Sequence, residues 1–196
     1  MIYTPLIQKA IRFSIKTHEV YQKQKRKGKD VPYIVHPLAV GLILARAGAS
    51  EEVVAAGILH DTIEDSVAEK KVTEGMLAGR FGENIATLVG SVTEQDKSLS
   101  WVERKEVAHA QIPSYSRDSV LVKSADVISN TTDLLDDYKR DGEATFSRFD
   151  ASRNQVTHHY LMVAGALLLR WSESPLATDL AEVRTQLSRI EALGQQ

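Results

Sequence analysis

Apolar positions recur at helical spacing along nearly the whole chain. Leu6, Ala10, Phe13 and Thr17 fall at i, i+4, i+7 and i+11 and predict a first helix. The pattern dissolves in residues 23–30, a basic, glycine-containing stretch that reads as a loop. His36-Pro37 is expected to open a second helix with proline at its first position. Val40, Ile43, Leu44 and Ala47 form its apolar stripe, and Gly48 ends it. Ser50, followed by Glu51 and Glu52, opens a third helix that is expected to run through His60. Thr73 opens a fourth over 76–81, closed by Gly82, and Ile85, Leu88, Val89 and Val92 mark a fifth. Residues 99–111 are charged and helical. Residues 120–135 form another helix, with Ala125, Ile128, Thr132 and Leu135 on one face. Two more are expected near 144–171 and 176–193. No segment alternates with period two for long enough to demand a strand. The expected class is therefore all-α, a bundle of roughly eight to ten helices. No Ser-, Gly- or Pro-rich linker divides the chain, so residues 1–196 are expected to form a single domain.

Composition narrows the chemistry. The 196 residues are 43% hydrophobic and 26% charged, which is ordinary globular usage. The formal charge of −2 gives no global footprint for nucleic acid or membrane. With no cysteine, a disulfide scaffold, a thiol nucleophile and a cysteine-ligated zinc are excluded. The apolar run 160–169 is far shorter than the ~20 residues of a membrane span. The N-terminus lacks the pattern of a signal peptide, and the cytoplasm is the expected location.

One segment concentrates ionisable groups. After the apolar Ala55-Ala56-Gly57-Ile58-Leu59 come His60, Asp61, Glu64 and Asp65, with His60/Glu64 and Asp61/Asp65 each four apart. Such a cluster is costly to bury unless a cation compensates it. Mixed histidine and carboxylate donors suit Mn, Fe, Zn or Co better than Ca. A second histidine, His36, stands at a helix start after Pro32-Tyr33-Ile34-Val35. Asp126 sits inside an apolar helix, either as a further ligand or paired with a buried Arg or Lys. Asn130, one turn on, shares its face. Five of the seven residues 23–29 are basic, Arg26 and Lys27 among them. They suit phosphate contacts, a solubilising loop or a nucleic-acid patch.

His36, His60-Asp61 and Asp126 reproduce the H…HD…D pattern, and the chain resembles the HD-domain metal-dependent phosphohydrolases. Pro32-Tyr33-Ile34-Val35-His36-Pro37, Ile58-Leu59-His60-Asp61-Thr62-Ile63-Glu64-Asp65, Phe81-Gly82, Val92-Thr93 and Lys123-Ser124-Ala125-Asp126…Asn130 are similar to the hydrolase domain of RelA/SpoT homologues. The short length, with Asp96-Lys97-Ser98-Leu99 and Glu103-Arg104-Lys105, resembles the stand-alone small alarmone hydrolases, the metazoan type included. The resemblance covers residues 5 to 170.

It implies one Mn²⁺, with Zn²⁺ or Fe²⁺ able to replace it, and removal of the 3′-pyrophosphate from (p)ppGpp. The metal ligands would be His36, His60, Asp61 and Asp126. Glu64 and Asp65 would position or deprotonate the attacking water, and Asn130 would be the catalytic-site asparagine. Arg26 and Lys27 match the family's basic pair. Tyr160 matches a nucleotide-pocket tyrosine, and Arg153 stands in for an arginine missing just upstream of it. Tyr33 would pack beside His36 or near a base. Lys97 and Arg104 would meet distal phosphates or lie free on the surface. His18 would be structural. Ser129, Val127 and Thr131-Thr132 depart from the family's pattern and leave guanine selectivity open. The implied partner is a small-molecule nucleotide, with neither nucleic acid nor membrane. Three alternatives stand beside this reading. They are a phosphohydrolase of another nucleotide such as NADPH, a non-catalytic nucleotide-binding module, and a nucleic-acid binder using 23–29.

Overall fold

The computed structural model describes residues 3–94 and 98–193, the side chain of residue 193 excepted. The described chain is helical, as expected, and among these residues there is no strand, only an isolated antiparallel bridge between Lys25 and Pro32. Helix α1 (Pro5–Ile15) is capped by Thr4 and continues into a π-helical turn, Lys16–Tyr21. Then come α2 (Val35–Arg46), α3 (Glu51–Leu59), the single turn α4 (Thr62–Asp65), α5 (Glu74–Phe81) and α6 (Glu83–Val92). They are followed by α7 (Trp101–Gln111), α8 (Arg117–Asp141), α9 (Arg153–Arg170) and α10 (Ala177–Leu193).

The caps read from sequence operate. Ser50 accepts from the amide of Val53 and Thr73 from that of Met76. These bonds satisfy amides that a helix start leaves without partners. Gly82, at φ 93°, ends α5.

Helix α8 extends beyond the expected 120–135 at both ends, and three other boundaries differ from expectation. First, α2 begins at Val35, so Pro37 is its third residue rather than its first. Second, α3 stops at Leu59 instead of continuing through His60. The Thr62 hydroxyl donates to the Leu59 carbonyl (2.7 Å) and His60 Nδ1 to the Gly57 carbonyl (2.7 Å). Side chains thus take the carbonyls that a continuing helix would use. Third, the helix expected over 144–171 is two elements. Gly142, at φ 58°, ends α8, Gly142–Arg148 forms a 3₁₀ segment, and α9 starts from a Ser152/Gln155 capping box.

Helix α2 packs on α3 and α8, and α3 packs in turn on α1 and α6. The α2–α3 crossing is close because two glycines face it. A Cβ on Gly57 would lie 2.3 Å from Leu44 Cδ1, and one on Gly41 2.6 Å from Ile58 Cγ1. Leu44, Leu59, Leu77 and Ile85 are fully buried in this main core, each worth about 1.5–3 kcal/mol of apolar burial. A smaller core of Leu134, Leu135, Phe146, Val156, Leu187 and Ile190 lies under the C-terminal half of α8. No described helix is long and apolar enough to cross a membrane.

Candidate metal centre and its substrate face

The close α2–α3 crossing carries His36 to the C-terminal end of α3, and α8 brings Asp126 against both. His36, His60 and Asp126 are buried, and their ligand atoms lie within 4.8 Å of one another. His36 Nε2 is 3.3 Å from Asp126 Oδ1 and 3.6 Å from Asp61 Oδ2. His60 Nε2 is 3.1 Å from Asp61 Oδ2 and 3.9 Å from Asp126 Oδ1. These separations suit an ion bonding at ~2.1 Å, whose neighbouring ligand atoms stand ~3.0–3.4 Å apart.

Each donor is aimed by a second bond. With Nδ1 on Gly57, His60 turns Nε2 inward, where that buried atom finds no hydrogen bond of good geometry. His36 Nδ1 bonds the Ser129 hydroxyl at 2.9 Å. Asp126 Oδ2 accepts from Lys123 Nζ (2.8 Å), which turns Oδ1 toward the centre and Asn130. Asp61 Oδ2 accepts from the Tyr33 hydroxyl (2.6 Å). Locked outer bonds of this kind fix ligand orientation and tautomer. The orphaned Nε2 of His60 and the mixed imidazole–carboxylate set fit a divalent cation.

Charge within the centre is strongly redistributed. Burial alone would lower His60, but Asp61 and Asp126 outweigh it and raise its pKa to about 9. Burial would raise Asp126, yet Lys123 and the two histidines hold it well below the usual carboxylate range. Asp61 is held low in the same way, chiefly by His60. Glu64 goes the other way. Burial first, then the charges of Asp61, Glu94 and Asp65, lift it to about 7.

Glu64 and Asp65 do not share one helix with His60, because the chain turns at Asp61 before α4 starts. The turn keeps a helical bond from Asp65 N to Asp61 O (2.9 Å). Glu64 Oε2 accepts from the Glu94 amide at 3.4 Å, and Asp65 Oδ2 accepts from Gln24 Nε2 at 3.0 Å. Asn130 lies where the shared face of α8 puts it. Its Nδ2 donates to Asp126 Oδ1 (2.6 Å) and its Oδ1 accepts from Arg26 (2.8 Å).

Arg26 also pairs with Asp133 (3.0 Å), and Lys27 with Asp150 (2.8 Å). Lys29 and Arg148 both pair with Asp137, which is 1% exposed. Arg26, Lys27, Lys29, Arg148, Asn130 and Tyr160 line a pocket of about 50 Å³ with Asp133, Leu134 and Phe149. Burial pushes the Tyr160 hydroxyl up to about 12, so it remains a hydrogen-bond donor there.

Other expected contacts fall elsewhere. Tyr33 does pack edge-on beside His36, ring centroids 5.9 Å apart, and its hydroxyl is engaged by Asp61 rather than free for a base. Arg153 pairs with Glu143 on the 3₁₀ segment. Arg104 lies 3.7 Å from Glu94, which also pairs with Lys105. Lys97 lies outside the described residues. A groove of about 740 Å³ between the starts of α3, α6 and α8 contains none of these residues.

Lys123, Ser129, Gln24, Asp133 and Asp137 were not identified as site residues from sequence. Lys123 carried a signal, as the buried cation that Asp126 needs if it is not to be left unpaired. Gln24 carried another, as a neutral amide inside a basic run.

Comparison with known proteins agrees with this geometry. The family model described as HD domain matches residues 10–157. The guanosine-3′,5′-bis(diphosphate) 3′-pyrophosphohydrolase MESH1 of Xenopus tropicalis is 35% identical over 131 residues, 66% of this chain and 69% of its own length. The human protein of the same name is 37% identical over 127 residues, 64% and 67% of the two chains. A bacterial guanosine-3′,5′-bis(diphosphate) 3′-pyrophosphohydrolase from Aquifex aeolicus is 37% identical over 130 residues, 65% of this chain but 18% of that longer protein. Among solved structures, a metazoan ortholog of SpoT described as hydrolyzing ppGpp superposes with TM-score 0.76 at 24% identity, covering 94% and 96% of the chains. The protein lmo0812 of Listeria monocytogenes EGD-e gives 0.71 at 30% identity, covering 80% and 99%. With the H…HD…D residues gathered at one centre and the family model spanning most of its length, the chain belongs to the HD-domain family.

Proposed function

We propose that this protein is a Mn²⁺-dependent (p)ppGpp 3′-pyrophosphohydrolase. The observation that carries the proposal is the buried Nε2 of His60, without a hydrogen bond and set among His36, Asp61 and Asp126 beside two further carboxylates. The names of the relatives support the choice of substrate.

His36, His60, Asp61 and Asp126 would hold the ion. A divalent cation there supplies a Lewis acid that neutralises phosphate charge and makes water more acidic. Asp65 orients the attacking water. Glu64, a buried carboxylate beside Asp61 and Asp65, accepts the water's proton. The water oxygen bonds to the phosphorus carried on the 3′ oxygen. The 3′ O–P bond breaks, the 3′ oxygen takes the proton held by Glu64, and pyrophosphate leaves. Arg26 and Lys27, on the pocket wall beside Asn130, meet the charge on the phosphates. Tyr160, on the same wall, offers its hydroxyl to the nucleotide.

A product assay tests this. Purified protein with Mn²⁺ is given ppGpp, NADPH and ordinary nucleotides, and pyrophosphate and orthophosphate are measured separately. Chelator-sensitive pyrophosphate release from ppGpp is expected. Orthophosphate from another nucleotide, with ppGpp untouched, would overturn the substrate and leave the centre standing.

A further inference from the structure

His18 is completely buried in the π-helical turn after α1, and its hydrogen bonding has a fixed direction. Its Nδ1 is 3.2 Å from Gln24 Oε1, and Gln24 Nε2 is 3.0 Å from Asp65 Oδ2. A carboxylate only accepts, so the amide must present its NH₂ to Asp65 and its oxygen to His18. His18 must then donate from Nδ1, which leaves Nε2 as a bare lone pair. That atom is buried without a hydrogen-bond partner. One arrangement of protons therefore satisfies the whole row.

Gln24 is also fixed through its backbone. Its amide donates to the His18 carbonyl and its carbonyl accepts from the Tyr33 amide, both at 2.9 Å. Lys23, just before it, adopts φ 52°, a left-handed conformation unusual for a side chain of its size. Beyond it the loop alternates. Lys23, Lys25 and Lys27 are exposed, whereas Gln24 and Arg26 are half-buried and face the site. The inward pair does parallel work, Arg26 bonding Asn130 and Gln24 bonding Asp65.

We propose that Gln24, oriented by His18, is a positioning residue that sets the Asp65 carboxylate for its water. The inference rests on the hydrolase reading above and deepens it. Its test compares steady-state kinetics on ppGpp with Mn²⁺ for Gln24→Leu, His18→Asn, His18→Leu and the control Asp65→Asn, with metal content and thermal unfolding measured alongside. Gln24→Leu keeps the volume and removes the amide. Its kcat is expected to fall about 10- to 100-fold, with metal content unchanged. Its KM is expected to stay within about twofold. His18→Asn, which keeps an N–H near the Nδ1 position, is expected to retain most turnover. His18→Leu fills the buried site but lacks the donor, and it is expected to fall with Gln24→Leu.

Wild-type kcat in folded, metal-loaded Gln24→Leu overturns the inference. So does the reverse order of the two His18 variants, which marks a packing role. Full turnover by Asp65→Asn removes the role of that carboxylate and overturns the inference with it, whereas a wild-type chain inert toward ppGpp removes the hydrolase reading itself. The proton position gives a separate readout. Imidazole ¹⁵N–¹H spectra of the metal-free protein are expected to place the His18 proton on Nδ1, and a proton on Nε2 reverses the row and overturns its assignment.

Discussion

His36 on α2 and His60 just past α3 are brought together by the crossing at Gly41 and Gly57, Asp126 comes from α8, and each lies in the core with at most 8% of its surface exposed. Arg26 and Lys27 sit instead on an irregular loop held mainly by ion pairs to α8 and to the segment before α9. The metal side is positioned by apolar packing, so its charges are dry and strongly coupled. The loop side is positioned by charge, and its pairs range from Lys27–Asp150, with side chains 50% and 84% exposed, to the cations on buried Asp137. Dry pairs are costly to break singly, whereas exposed pairs contribute little. One site thus has a rigid half and an adjustable half.

The sharpest way to break the contrast is on the rigid half. Asp126→Ala is expected to abolish metal binding and turnover. It also leaves Lys123 buried without its counter-ion, at a cost of about 3–5 kcal/mol. Metal analysis and denaturant unfolding read both effects, and retained metal would refute the ligand assignment. Glu64→Gln should keep metal and fold while kcat drops about 10²- to 10⁴-fold. Asp137→Ala tests the adjustable half. It strips the shared anion from Lys29 and Arg148, so KM for ppGpp should rise about tenfold while metal content stays at the wild-type level.

A pH series separates the halves without a mutation. The folded-state pKa of Glu64 is raised, to about 7 from an ordinary 4.5, so the folded chain binds this proton more tightly than the unfolded one. Its contribution is fully present below 4.5 and is lost as pH rises through about 7. His60, raised from 6.5 to about 9, acts in the same direction at higher pH. Burial holds His159 down, to about 3, and His36 below its ordinary value, and both oppose Glu64 below pH 6.5, so metal-free protein should lose stability from about pH 7 to 9 in urea titrations, and Glu64→Gln should alter the trend only below about pH 7. The smallest effect belongs to Lys27→Ala, expected to change stability by less than about 1 kcal/mol because the pair it breaks is exposed.

What the sequence displays follows the same division. The helices around the proposed metal ligands are apolar runs with recognisable caps, so α2, α3 and α8 could be read from periodicity, and the gathering of His36, His60 and Asp126 from the family motif. For Asp126 the two readings converge, since the structure puts it at the centre and also pairs it with buried Lys123. The break at His60 was hidden because it depends on Thr62 and His60 capping particular carbonyls, which is a matter of rotamers rather than of spacing. Ser129 could be read only as a departure from the family's pattern, yet its hydroxyl fixes His36. The loop's partners were the least legible. Asp133, Asp137 and Asp150 lie more than a hundred residues from the basic run, and nothing local marks them as its anchors.

That distance bears on the order in which the molecule is made. Arg26 bonds residues 104 and 107 positions downstream, and Lys27 bonds one 123 positions downstream. A chain emerging from the ribosome N-terminus first can pack α2 against α3 early, from neighbours in sequence. The loop's backbone and Gln24 find partners within residues 18–65, but Arg26, Lys29 and then Lys27 meet their carboxylates only once α8 and residue 150 have been synthesised. The wall of Arg26, Lys27 and Lys29, proposed to face the nucleotide, is therefore finished late in biosynthesis, after the α2–α3 crossing beside both histidines has its contacts.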